Sequence, residues 1–215
     1  MISEAIYLHY LDSLLTGNKK QCVQIVSNLV KNNVSMKEIY VQLFQRSMYR
    51  IGQMWEKERC TIANEHIATK ITEALLEITT SNFMNGHHTD KLAIITCIDK
   101  EFHEIGARMV TGFFEVSGWE TLYLGSNTPQ SSIISLIKEK KPDVIGISNN
   151  FYINISRLLK LIEQIQQVAP DLEILVGGQA LSGGQSEILN KFSNVRYISS
   201  LDELEEYISV QSSSN

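Results

Sequence analysis

Glu101, His103 and Gly106 stand at the spacing Glu-x-His-x-x-Gly, directly after the apolar run Leu92-Ala93-Ile94-Ile95-Thr96-Cys97 and at the head of a helical pattern. A loop at the carboxyl end of a parallel strand opens into the crevice where doubly wound folds hold their ligands, so a histidine there can reach one. In an extended loop residues two apart point to the same side. Glu101 can therefore accept the proton of the ring nitrogen of His103 that does not face a metal, which orients the imidazole and raises its basicity. Gly106 has no side chain to block a close approach. Two further strand ends carry small or hydroxyl residues: Val144-Ile145-Gly146-Ile147-Ser148 closes on a hydroxyl, and Ile174-Leu175-Val176-Gly177-Gly178 closes on two glycines where backbone must pass close to something. Upstream, Trp55 is followed after nine residues by Glu65 and His66. The plain alternatives are a solvated loop histidine beside two acids, a core tryptophan, and a solvated Glu-His helix face.

These residues must be positioned by the elements around them. Residues 1 to 84 read as four helices. Ile6, Leu8, Leu11, Leu14 and Leu15 form an apolar stripe that stops at Gly17, and Asn18 opens a second run through Val23, Ile25, Val26, Leu29 and Val30. Ser35 to Glu38 has capping-box spacing and opens a third helix towards Trp55; Thr61 caps a fourth, with Ile67, Ile71, Leu75, Leu76 and Ile78 as its expected buried face. The polar residues 85–90 read as a linker, and the adjacent His87 and His88 within it as solvated, since one pair supplies too few ligands for a preformed site. From residue 91 to 210 strands near 92–97, 120–124, 144–148, 173–176 and 195–198 alternate with helices near 104–117, 129–140, 155–168, 185–192 and 202–208. That alternation predicts an α/β fold with a five-stranded parallel sheet covered on both faces. The serine-rich residues 211–215 are expected to be disordered. No GxGxxG or P-loop spacing follows a strand, which argues against a dinucleotide or nucleoside triphosphate site.

The Glu-x-His-x-x-Gly spacing resembles the acid-x-His-x-x-Gly signature of cobalamin-binding domains, in which the histidine replaces the cofactor's own base below cobalt. The resemblance implies a Rossmann-like, flavodoxin-type cobalamin domain under a helical-bundle cap, with His103 as lower axial ligand, Glu101 orienting it, and Ser148 and Gly177-Gly178 lining the path of the displaced nucleotide tail. Two positions depart from the pattern: Asn150 stands where a leucine is usual, and Glu101 where methyl-carrying members more often have aspartate. The loop Gly125-Ser126-Asn127-Thr128-Pro129 matches the family's loop beside the corrin, which would place Thr128 near the ring edge; a plain turn with Thr128 as N-cap and Pro129 at the first helical position accounts for it equally. The Trp55, Glu65, His66 spacing resembles the cap of light-sensing adenosylcobalamin-dependent (CarH-like) photoreceptors. There the indole would cover the upper ligand, the carboxylate would hold ribose hydroxyls, and His66 would be able to take the upper position on cobalt after light.

Composition narrows the setting. The chain has 215 residues and a formal charge of -5, with a pI near 5.6, and its lysines and arginines are scattered. Direct nucleic-acid binding is not expected, and the winged-helix module of light-sensing relatives has no room here, so regulation would run through a partner protein or a change of homo-oligomeric assembly. Cys22, Cys60 and Cys97 are widely spaced, without a CxxC pair, and suggest neither disulfides nor zinc. Neither a leader pattern nor an eighteen-residue apolar run is present, so a cytoplasmic protein without membrane contact is expected.

Three functions are consistent with these features. The leading expectation is a light-responsive regulator holding adenosylcobalamin. The second is a corrinoid carrier of a methyltransferase system, holding methylcobalamin or another corrinoid. The third is a sensor binding haem through the same histidine. No nucleophile-base pair is evident, and an enzyme is not expected.

Overall fold

The computed structural model describes residues 1–212, and the chain divides into two compact units, Met1–Met84 and Asn85–Asn215. The first unit is helical: α1 Glu4–Leu15, α2 Lys19–Lys31, α3 Met36–Glu38, a π-helical stretch Ile39–Gln45, α4 Arg46–Glu56 and α5 Ile62–Phe83. α3, the π stretch and α4 follow one another without a break and make up the third expected helix. Its start is capped by Ser35 Oγ, which accepts from Glu38 N at 3.2 Å. The Glu38 carboxylate does not return to Ser35; it accepts from Ile2 N at 2.6 Å and ties down the amino terminus. Asn18 caps α2, and Thr61 with Asn64 forms a full capping box at α5. Tyr10, Leu14, Ile39, Tyr40, Phe44, Ile51 and Leu75 are fully buried, and the Tyr40 hydroxyl is satisfied by Thr80 Oγ1 at 2.6 Å. The buried stripe of α5 differs from expectation. Ile67 and Ile78 are exposed, because the inward face is shared with Thr72, Thr79 and Thr80, whose hydroxyls donate to the carbonyls of Ala68, Leu75 and Leu76 and so enter the core without an unmet polar group.

The second unit runs β1 Leu92–Cys97, α6 Ile105–Val116, β2 Glu120–Tyr123, α7 Gln130–Lys140, β3 Val144–Ser148, α8 Ile155–Val168, β4 Glu173–Gly177, β5 Val195–Tyr197 and α9 Leu201–Ser212. Among the described residues the strands form one parallel sheet ordered β2-β1-β3-β4-β5. This is the flavodoxin-like order, with its topological switch at β1 and β3. The central strands are buried on both faces, which accounts for their unbroken apolar character. One face packs Ile94, Ile145, Ile147 and Ile174 against Ile133, Ile137, Leu158, Leu161 and Ile165 of α7 and α8. Cys97 pairs with Ser148, and Ser148 with Gly177. The carboxyl ends of β1, β3 and β4 are thus level, and their three outgoing loops emerge side by side.

Two stretches of this unit differ from expectation. The segment between β4 and β5 forms no α-helix; it makes two 3-10 turns, Gln179–Leu181 and Gln185–Leu189. Gly183 and Gly184, at φ 66° and 91°, break the helical path between them, and Ile188 is exposed, which leaves too few apolar anchors for a longer helix. The chain end also differs. Residues 211 and 212 continue α9, where the Gln211 carbonyl accepts from Lys91 Nζ at 2.6 Å and Gln211 Nε2 donates to Glu173 at 3.4 Å. The rest of the tail expected to be disordered, residues 213–215, lies outside the described residues.

Candidate functional site

The loop that leaves β1 folds its acid inward and its histidine outward. Lys100 adopts a left-handed φ of 67°, and the turn is fastened by Lys100 N donating to Asn127 Oδ1 at 3.1 Å and Asn127 N donating to the Glu101 carbonyl at 2.9 Å. Glu101 is consequently 0% exposed. Its Oε1 accepts from the backbone N and from Nδ1 of His103, both at 2.9 Å. Its Oε2 accepts from the backbone N of Asn150 at 2.8 Å and of Phe151 at 3.2 Å. Burial pushes the Glu101 carboxyl up, but the His103 ring, the His103 and Asn150 backbone amides and the charge of the imidazole together bring it below its ordinary value of 4.5.

The His103 side chain is 61% exposed and its ring meets Phe151 edge-on, centroids 4.8 Å apart. Phe102, Phe151, Tyr152 and Ile153 are exposed on the same pair of loops. An oriented imidazole bordered by unburied aromatic and aliphatic side chains fits a flat, largely apolar ligand. A single imidazole supplies one metal bond, which suits a metal that brings its other ligands with it, as in a corrinoid or a haem. No Cβ placed at Gly106 meets any atom within 4 Å. Packing therefore does not require this glycine, which leaves open space at the first turn of α6, three residues after His103.

Ser148 and the glycine pair lie one strand and two strands away from the β1 loop. Gly178 has φ 104°, and a Cβ there would overlap the Asn149 carbonyl, so the chain can pass only as glycine. Gly177 has room for a Cβ, 3.5 Å from the Ile198 carbonyl, so close approach is required at only one of the two. Cys97 is buried, and its thiol, pushed up to about 12 mainly by burial and then by Glu101 and Glu104, is an inert core group. Thr128 is not an N-cap. Its hydroxyl donates back to the Leu124 carbonyl at 3.1 Å, and α7 starts at Gln130 with Pro129 in the cap position, where proline's missing N–H and fixed φ cost nothing.

The helical unit places its three residues differently. Trp55, at the end of α4, is 46% exposed and borders an open groove of about 650 Å³ lined also by Glu58, Arg59, Cys60, Thr61, Ile62 and Asn64. Glu65 and His66 are not in that lining. They form a loose pair at 3.6 Å in the first turn of α5, with His66 69% exposed, and Glu65 Oε1 accepts from Thr69 at 2.8 Å.

The ties of two residues to Glu101 carried no signal in the sequence, although Asn150 already stood out as a departure from the motif. Asn150 and Phe151 supply half of the donors to Glu101 and one wall for the His103 ring. The exposed aromatic run Phe151-Tyr152 directly after a buried strand was the available clue. Among the described residues no helix is long and apolar enough to cross a membrane.

Comparison with known proteins accords with this geometry. A family profile described as B12 binding domain matches residues 91–200, and a second profile of the same description matches residues 9–79. The dimethylamine corrinoid protein of Methanosarcina barkeri is 22% identical over 82% of this chain and 85% of its own length. The HTH-type transcriptional repressor CarH of Myxococcus xanthus is 23% identical over 63% of this chain but 45% of its own length. The structure of the Methanosarcina barkeri monomethylamine corrinoid protein superposes with a TM-score of 0.81 at 15% identity, covering 97% of this chain and 100% of that one. The profile over residues 91–200 spans the Glu101-His103 loop, Ser148 and the glycine pair, and with it the chain belongs to the B12-binding domain family.

Proposed function

We propose that the chain is a corrinoid-carrying protein of a methyltransferase system, holding its cofactor on His103 and shuttling the methyl group that the cofactor carries between partner enzymes. The observation that carries the binding half of this reading is the buried Glu101 carboxylate, which fixes His103 through its backbone N and its Nδ1. With Nδ1 engaged, ligation falls to Nε2, and the carboxylate makes the ring a better donor. When bound, the corrinoid supplies the cobalt centre to which a transferable group attaches. Glu101 holds the imidazole proton on Nδ1. Phe102, Phe151, Tyr152 and Ile153, exposed around the loop, would meet the apolar surface of the bound corrinoid and keep water from it, and the open space at Gly106 would leave room for its edge. Ser148 and the turn at Gly178 stand beside the loop where a polar tail would enter. No residue pair suited to chemistry of its own is assigned, so the chain acts as carrier and its partners as enzymes. The carrier half is supported by end-to-end likeness: methylamine corrinoid proteins match most of their own length, whereas the CarH match spans under half of that protein.

A second reading, a light-responsive adenosylcobalamin regulator in which Trp55, Glu65 and His66 cover the upper ligand, rests on the spacing of those three residues. The test is to load the apoprotein separately with methylcobalamin and adenosylcobalamin in the dark, measure retention on desalting, and compare hydrodynamic size before and after green light. A carrier retains methylcobalamin at least as well and keeps its size under light. Preferential retention of adenosylcobalamin with a light-dependent change of size would replace the carrier reading with the sensor.

A further inference from the structure

Asn150 stands where leucine is usual in the family, and its contacts give the difference a purpose. Its Nδ2 donates to the His103 carbonyl at 3.1 Å and lies 3.5 Å from Ser148 Oγ. Its Oδ1 accepts from Gln179 N, just past the glycine pair, at 3.3 Å. Its backbone N donates to Glu101. Only the backbone contact would survive in a leucine. One side chain therefore joins the loop that carries the histidine to the end of β3 and to the turn after β4.

We propose that Asn150 is a positioning residue for the lower ligand, an inference that rests on the reading of His103 as the residue that ligates a corrinoid. Three bonds orient His103: its backbone N and its ring Nδ1 are held by Glu101, and its carbonyl by Asn150. The first two fix the ring relative to the carboxylate. The third fixes the peptide plane that follows the histidine, and with it the direction of the Cα–Cβ bond. The Cys97 thiol, a weak donor, also faces that carbonyl at 3.8 Å. Loss of the Asn150 amide removes one of the bonds that hold this plane, and with it part of the imidazole's preorganisation for an axial bond.

The test uses the full chain loaded with methylcobalamin and follows the absorption spectrum on acidification. Protonation of the histidine competes with ligation, so the midpoint of the conversion from histidine-on to histidine-off reports how well the ring is held. Weaker ligation lets the proton win at higher pH. Asn150→Leu restores the usual shape without the polar atoms; Asn150→Ala removes the same atoms without adding bulk and stands in if the leucine variant does not fold. Loss of one side-chain hydrogen bond, roughly threefold in ligation, raises the midpoint by about half a pH unit in both variants. Hydrogen exchange in the apoproteins, read at the Gln179 amide, should quicken in both as well. An unchanged or lowered midpoint in variants whose parent is histidine-on overturns the proposal and leaves the ligand assignment standing. A parent protein that never becomes histidine-on overturns the ligand assignment, and this proposal with it.

Discussion

The β1 loop and the α4–α5 corner both carry histidine, acid and aromatic residues, yet they are built to different standards. In the sheet unit the acid is fully buried, meets four N–H donors and fixes a half-exposed histidine. In the helical unit the acid and histidine meet loosely at 3.6 Å on an exposed turn, and the tryptophan borders an open groove. A carboxylate whose bonds are complete before a ligand arrives has been paid for by the fold itself. The corner makes no such commitment, so whatever it does depends on what is brought to it. The difference supports the sheet unit, whose histidine is oriented in advance, as the place of the proposed lower ligand.

Substitutions can break or sharpen this contrast. The largest effect is expected at Gly178→Ala, where positive φ and overlap with the Asn149 carbonyl combine; urea unfolding should show a loss of about 3 kcal/mol or more. Glu101→Gln comes next, at about 2 kcal/mol near neutral pH, because an amide oxygen cannot serve all four donors. The pH dependence has a definite sign. The Glu101 carboxyl is held below its ordinary 4.5 in the folded chain, so its contribution is complete above that value and is lost as pH falls through the lowered pKa. The gap between parent and Glu101→Gln should therefore shrink as pH falls below about 5. Gly106→Ala should act in two opposed directions, raising apoprotein stability by about 0.5–1 kcal/mol through helix propensity while weakening corrinoid retention on desalting. Stabilisation with unchanged retention would show that the space over Gly106 is not used. Smallest is Trp55→Ala, worth under about 1 kcal/mol at a half-exposed site. It should leave methylcobalamin retention intact, and a sharp loss of adenosylcobalamin would move the corner into the cofactor site.

Legibility in the sequence followed the same divide. The strands were readable because central parallel strands are apolar on both faces, and the Glu101-His103 relation because alternation in an extended loop depends on local geometry alone. The Asn18, Ser35 and Thr61 caps were readable for the same reason. Asn150 and Phe151 were not, since their tie to Glu101 depends on the register that sets Cys97 beside Ser148, a non-local fact. The helix expected near 185–192 failed where two glycines outweighed weak apolar spacing, and Thr128 failed as a cap because its hydroxyl found a carbonyl behind it. On α5 the threonines took burial that hydropathy alone gave to Ile67 and Ile78.

The most direct test of the central claim is electron paramagnetic resonance of the protein loaded with cobalamin and reduced to Co(II), prepared with unlabelled and with ¹⁵N-histidine-labelled chains. Ligation by His103 predicts that the axial nitrogen splitting changes from a triplet to a doublet on labelling and is lost in His103→Ala. A triplet that survives labelling would mean that the cofactor keeps its own base, and would contradict the account.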